Sequence, residues 1–139
     1  MAADEWRAFL LEGTRTGKLA TVRADGTPHV TPVWFVLDGE GRIAFNTGED
    51  TLKARNLRRS GRASLCVDEE RPPYAFVRVD GPVTIEDDPG RMLEIATRIG
   101  GRYMGADRAE EFGRRNAVQG ELLVRIAPER VVAVAGVSH

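Results

Sequence analysis

The sequence predicts a mainly β fold of the α+β class, in which six antiparallel strands form a small barrel with short flanking helices. Asp25-Gly26 lies between two β-rich runs, which is a strong hairpin signal, and Asp38-Gly39-Glu40-Gly41 marks a second turn. No Gly-x-Gly-x-x-Gly motif and no Walker-type Gly-Lys-Ser/Thr follows a predicted strand, which argues against a doubly wound nucleotide-binding sheet. The 139 residues suffice for one core, so we expect a single domain over residues 1–139.

The chain opens with a predicted helix and continues into a hairpin. Asp4 is a candidate N-cap and Gly13 is a stop signal. Between them, Trp6, Phe9 and Leu10 share one helix face. The periodicity then changes to two, which predicts strands over residues 18–23 and 28–37 on either side of the Asp25-Gly26 turn.

Pro32 lies in the middle of the second predicted strand, where it removes a backbone hydrogen-bond donor. Either this strand lies at a sheet edge, or a ligand takes the place of the neighbouring strand. In the first interpretation Trp34 packs in the core or in a subunit interface, and in the second it lies beside the ligand. Both interpretations are compatible with the same structure.

A third strand, predicted over residues 42–47, leads into a short basic helix. The first turn of a helix presents N–H groups without intrahelical partners and the positive end of the helix dipole, so anions bind there. Lys53 and Arg55 add cationic donors in or just after that turn, and Thr47 adds a hydroxyl in the approach. The pattern indicates a phosphate site, although a basic run is also typical of a solvated helix face.

The remaining sequence predicts three further strands and two further helices. The strands are expected over 63–68, over 74–85 with a bulge or edge at Gly81-Pro82, and over 121–134 with an interruption at Pro128; one helix is expected from Asp88 to Gly100-Gly101 and another from Asp107.

Composition excludes several classes of function. The 20 Lys and Arg residues balance 21 Asp and Glu residues, so no global field attracts nucleic acid or an anionic membrane. Cys66 is the single cysteine, and His29 and His139 lack the neighbours of a metal site. The N-terminus does not read as a signal peptide, and the longest apolar run, 131–137, is far too short to span a membrane. We therefore expect a cytoplasmic protein without a metal, a nucleic-acid partner or a membrane partner.

Four segments, taken in order, carry a resemblance to a known family: residues 17–22, the hairpin 25–30, the segment 32–35 and the basic run 53–59. Together they resemble the split-β-barrel flavin and deazaflavin oxidoreductases related to pyridoxamine 5′-phosphate oxidase, and within them the F420-dependent branch. The resemblance extends from about Trp6 to Val134. It implies an FMN-binding split-barrel fold and a homodimer with its cofactor sites at the subunit interface.

The resemblance also implies which residues bind the cofactor. Lys53, Arg55 and Asn56 match the phosphate-binding motif, Thr47 matches the loop before it, and Thr31, Pro32 and Val33 match the backbone beside the tricyclic ring. Trp34 matches either a pocket wall or a dimer contact, and Tyr74 is a further candidate wall. No catalytic side chain is identified, and the product is expected to take its proton from solvent.

The function implied is an F420H2-dependent reductase that transfers a hydride to an unsaturated small organic molecule. An FMN-dependent oxidoreductase with the same phosphate anchor is the alternative. A third interpretation is a protein that binds flavin, deazaflavin or haem without turnover, with His29 and His139 as candidate haem ligands. Oxidation of vitamin B6 is not expected, because the sequence stops at residues 137–139, before the arginine- and histidine-bearing extension of the oxidases proper.

Overall fold

The computed structural model describes residues 1–137, and these contain eight strands and four α-helices. The strands are β1 (Gly17–Val22), β2 (Pro28–Val33), β3 (Val36–Leu37), β4 (Ile43–Gly48), β5 (Arg62–Glu69), β6 (Ala75–Glu86), β7 (Glu121–Ile126) and β8 (Arg130–Ala135). The helices are α1 (Ala3–Leu11), α2 (Leu52–Ser60), α3 (Pro89–Met104) and α4 (Ala109–Asn116), with a 3-10 turn at Ala106–Arg108. The predicted antiparallel split barrel is confirmed, but the described residues form eight strands instead of six.

The strands follow the order β2-β1-β5-β6-β7-β4-β3, and every neighbouring pair is antiparallel. The long strand β6 joins the two halves, because it pairs with β5 and β8 along its first part and with β7 from Val83 onwards. Strand β2 lies at one end of this order, which confirms that the strand containing Pro32 is an edge strand.

The strand predicted over 28–37 is in fact two strands. β2 pairs with β1 in one half of the barrel, whereas β3 pairs with β4 in the other. Between them, the backbone of Phe35 has its partners on α3: its N–H donates to Tyr103 Oη at 3.3 Å, and its carbonyl accepts from Arg102 Nη1 at 2.7 Å. The chain crosses between the halves here because side chains replace the strand ladder.

The strand predicted over 121–134 is also divided, at the expected Pro128, into β7 and β8. Both run along the same edge of β6, and three residues, 127–129, lie opposite two residues of β6, Gly81 and Pro82. The Ala127 N–H donates to the Pro82 carbonyl at 3.0 Å on one side of this bulge. The extra residue therefore lies in the partner strand, and β6 itself is continuous.

The helices pack against both faces of the barrel. One apolar cluster fills the barrel interior, and a second one places α3 on the outer face of β4 and β7. α3 does not end at Gly100-Gly101 but continues to Met104. A Cβ on Gly100 would lie 2.7 Å from Phe112 Cβ, so the glycine allows α4 to pack closely against α3.

Two predicted helix starts also differ from the structure. α1 begins one residue before Asp4, which lies in its first turn, and the N-cap is Ala2. Asp107 lies in the 3-10 turn before α4, and no side chain caps that turn. Within residues 1–137 no helix is both long and apolar enough to cross a bilayer.

Candidate cofactor site

A cavity of about 180 Å³ opens where the end of β2 meets the outer face of β4, the start of α2, and the helices α3 and α4. Its lining comes from segments far apart in the sequence: Pro32, Val33, Trp34, Asn46, Lys53, Ile99, Phe112, Asn116 and Glu121. The arrangement brings one cation, one carboxyl group, two amides and two aromatic rings to a single site.

Three of the seven residues predicted to bind a cofactor line this cavity, namely Pro32, Val33 and Lys53. The other four lie around it and have different neighbours. The side chain of Thr31 shares a sheet face with Leu19, its partner in β1, which is fully buried in the core.

Thr47 lies inside β4 and not in a loop, because β4 continues to Gly48. Its buried hydroxyl is 3.1 Å from the hydroxyl of Thr51, which is the N-cap of α2. Thr51 Oγ1 accepts from the Ala54 N–H at 3.2 Å and donates to the Gly48 carbonyl at 2.8 Å. Thr47 and Thr51 thus fix the strand-to-helix corner that positions Lys53.

The cations of α2 differ in where they point. Lys53, in the first turn, is half-buried at the cavity, and among the described residues its ammonium has no hydrogen bond and no ion pair within 4.0 Å. Arg55 is exposed and donates from Nη1 to the Asp50 carbonyl at 2.8 Å. Lys53 is therefore the cation that faces into the cavity.

Asn56 is completely buried and joins α2 to β1. Its Nδ2 donates to Thr21 Oγ1 at 3.1 Å, and its Oδ1 accepts from Arg59 Nη2 at 3.0 Å. Both ends of the amide therefore have protein partners, and Asn56 does not line the cavity. These contacts fix the helix that carries Lys53.

The aromatic wall is built on Trp34, which is 38% exposed. Its indole stacks on Tyr103, with ring centroids 4.9 Å apart and an interplanar angle of 6°, and lies at 5.6 Å from Phe112. Tyr103 Oη in turn donates to the Arg15 carbonyl at 3.0 Å. Two neighbouring rings thus hold Trp34 in place, and the exposed part of its indole offers an apolar surface at the cavity. Tyr74 lies outside the cavity lining.

Arg102 holds the segment that carries Trp34. Its guanidinium donates to three backbone carbonyls: Phe35 at 2.7 Å, Leu10 at 2.8 Å and Gly13 at 3.1 Å. Burial lowers the pKa of Arg102 and raises that of the adjacent Tyr103 phenol. The two side chains together connect α3 to the crossing between β2 and β3.

Three polar residues of the cavity, Asn46, Asn116 and Glu121, are not singled out by the sequence patterns. The signal for Asn46 is weak but real, since it is an amide in a predicted apolar strand. Glu121 faces Gly48 across the β4–β7 pair, and Asn116 Nδ2 donates to the Phe112 carbonyl at 2.9 Å. His29, whose buried Nδ1 has no partner among the described residues, lies outside this cavity, and His139 lies outside the described residues.

Glu121→Gln is expected to change the pH dependence of folding stability. Burial raises the pKa of the Glu121 carboxyl, and the Lys53 ammonium, which lowers it, offsets this effect only in part. The folded state therefore binds the proton more tightly than the unfolded state. Its contribution to stability is complete at low pH and is lost as pH rises through the folded-state pKa.

The unfolding free energy of Glu121→Gln relative to the wild type should therefore increase between about pH 4 and about pH 8. Urea denaturation at both pH values measures this change. Glu94→Gln, at an exposed position, is the control for net charge. If the unfolding free energies of Glu121→Gln and the wild type change in parallel with pH, the raised pKa of Glu121 is contradicted.

Comparison with known proteins defines the class of this fold and site. The sequence profile of pyridoxamine 5′-phosphate oxidase matches residues 2–135, and the protein belongs to this family. An F420H2-dependent biliverdin reductase of Mycobacterium tuberculosis is 35% identical over 104 residues, which cover 73% of this chain and 72% of the relative.

Two solved structures are similar over most of the chain. A conserved hypothetical protein of Mycobacterium tuberculosis superposes with a TM-score of 0.84 and 27% identity, covering 96% of this chain and 84% of that one. A protein described as an F420 reductase superposes with a TM-score of 0.68 and 28% identity, covering 90% of this chain and 94% of that one. These similarities support the F420-dependent branch and an oxidoreductase that uses a flavin-type cofactor.

Proposed function

We propose that the protein is an F420H2-dependent reductase that transfers a hydride to an unsaturated small organic molecule. The observation that carries the proposal is the cavity in which the Lys53 ammonium and the exposed part of Trp34 lie together. A cation and a flat apolar surface match the two parts of a deazaflavin, its phosphate and its tricyclic ring. The 35% identity to an F420H2-dependent biliverdin reductase supports the same cofactor.

The side chains at the cavity match the chemistry of this cofactor. Lys53 would neutralise the phosphate, with Arg55 close by on the same helix and with Asn56 and Thr47 fixing that helix. The backbone of residues 31–33 and the wall at Trp34 would hold the ring. A bound reduced deazaflavin supplies the hydride, so the protein's part is to position the ring and to exclude water from it.

A homodimer in the cytoplasm completes the proposal. The cavity of about 180 Å³ is smaller than the roughly 300–1,000 Å³ of a typical small-molecule site. A second copy of the chain across its mouth would supply the missing walls, as the family resemblance implies. The proposed assembly therefore has two sites, each formed by residues of both subunits.

FMN is the second candidate cofactor, because it also joins a phosphate to a tricyclic ring and because the family is that of pyridoxamine 5′-phosphate oxidase. With FMN the same pocket would serve a flavin-dependent oxidoreductase. Among the described residues, no group of three or more His, Cys, Asp and Glu side chains could hold a metal ion.

One experiment tests the proposal against its alternatives. The purified protein is titrated with F420, FMN and haem, and reduced F420 is then mixed with a quinone, an enone or biliverdin while its reoxidation is followed. We expect colourless protein, tightest binding of F420, reoxidation that depends on the acceptor, and a dimer by light scattering. Yellow protein that retains flavin would favour FMN, and binding without reoxidation would favour a storage role.

A further inference from the structure

The Asn46 side chain is the least satisfied polar group of the cavity. Its Nδ2 and Oδ1 are both buried and have no hydrogen-bond partner among the described residues. Burying an amide without partners is unfavourable, and native proteins pair the great majority of such groups. An unpaired amide at the wall of a cavity therefore marks a position where a ligand completes the hydrogen bonds.

The surroundings of Asn46 leave room for that ligand. Along β4, Ala44 and Gly48 are the next residues on the same face, and both are small. The residue opposite on β7 is Leu123, which is buried against α3 and offers no hydrogen bond. The diagonal neighbours of Asn46 on β7 are Glu121 and Arg125, and the amide forms no hydrogen bond with either of them.

The chemistry of the amide selects a class of partner. A carboxamide presents one acceptor and two donors, so one of its edges forms two parallel hydrogen bonds with a group that carries an adjacent C=O and N–H. A cis amide in a ring, which is a lactam or an imide, has this pattern. A phosphate or carboxylate would leave Oδ1 without a donor, and Lys53 in the same cavity is better suited to those anions.

We propose that Asn46 recognises the lactam or imide edge of a planar ring that lies against Trp34. This inference rests on the proposed function, because it places the ring in the same cavity. The edge has two possible sources with one chemistry: the pyrimidine part of the bound deazaflavin or flavin, and a lactam carried by the substrate. Asn46 and Trp34 would bind the ring from either source, and binding measurements distinguish the cofactor from the substrate.

The test compares the wild type with Asn46→Ala by titration with F420, FMN, 3-methyl-FMN and biliverdin. Loss of two hydrogen bonds is expected to lower the affinity for the recognised ligand roughly tenfold to a hundredfold. If the edge belongs to the cofactor, F420 and FMN lose affinity, whereas 3-methyl-FMN, which lacks the ring N–H, binds both proteins alike. If the edge belongs to the substrate, only biliverdin loses affinity.

Gln119→Ala removes an exposed amide outside this cavity and is the matched control. The melting temperature of ligand-free Asn46→Ala should equal or exceed that of the wild type, since the amide has no protein partner; a purely structural role would lower it. Equal affinities of wild type and Asn46→Ala for every ligand overturn the proposal, as does a wild type that binds none of them. Asn46-dependent binding without hydride transfer from reduced F420 would reject the proposed function alone.

Discussion

Lys53→Ala is expected to weaken the binding of F420 or FMN by roughly tenfold to a hundredfold, which corresponds to the loss of one charge-assisted hydrogen bond. The Lys53 ammonium lies at the cavity without a hydrogen bond to any described residue, so its charge is available to a ligand phosphate. Half-burial strengthens this interaction relative to an exposed lysine. Isothermal titration calorimetry with both cofactors measures the effect.

Arg58→Ala is the matched control for Lys53→Ala, because Arg58 is an exposed cation on the same helix and does not line the cavity. Its effect should remain below threefold and should disappear as salt is added. Arg55→Ala measures the second predicted anchor separately. Unchanged affinity in a Lys53→Ala, Arg55→Ala double variant would sink the assignment of the phosphate to α2.

Gly81→Ala is expected to destabilise the fold by more than about 4 kcal/mol, which is a large fraction of the stability of a domain of this size. A Cβ at this position would lie 1.7 Å from the Ala127 carbonyl oxygen, which belongs to the backbone of the β7–β8 bulge. Relief of the clash would separate β6 from the bulge and break the bond from the Ala127 N–H to the Pro82 carbonyl. The two halves of the barrel meet here.

Soluble expression, circular dichroism and urea denaturation compare Gly81→Ala with the wild type. Gly39→Ala is the control, since a Cβ on Gly39 meets no atom within 4 Å and the residue does not have a positive φ. The control should unfold within about 0.5 kcal/mol of the wild type. A Gly81→Ala protein with a wild-type unfolding midpoint would show that the close approach of Gly81 to the Ala127 carbonyl tolerates a side chain.

Much of the secondary structure follows from short-range sequence patterns. Asp25-Gly26 forms the turn between β1 and β2, and the apolar stripe of α3 is buried as its spacing predicts. The basic helix also forms where expected, with Lys53 in its first turn. These features depend on residues close in sequence, whose backbone preferences and periodicity act before any tertiary contact.

The cofactor site, unlike the individual helices and strands, is formed by residues that are far apart in the sequence. The start of α2 was predicted, but its approach was not, because Thr47 was expected in the preceding loop and lies inside β4, and the N-cap is Thr51. The sequence did not predict that Asn46 and Glu121 share a cavity. They lie on different strands, and only the register of β4 with β7 brings both side chains to one cavity. A shift of that register by one residue would place the two side chains on opposite faces of the sheet.

The sequence by itself determined the class of fold, the order of its hairpins and helices, and the position of Lys53 at a helix start. The tertiary structure alone decided that the strand around Pro32 divides at Trp34-Phe35, because Arg102 and Tyr103 satisfy the Phe35 backbone from more than 60 residues away. It also decided that Trp34 faces the cavity that contains Lys53. Local preferences fix each element, but only packing between distant segments fixes which side chains share a site.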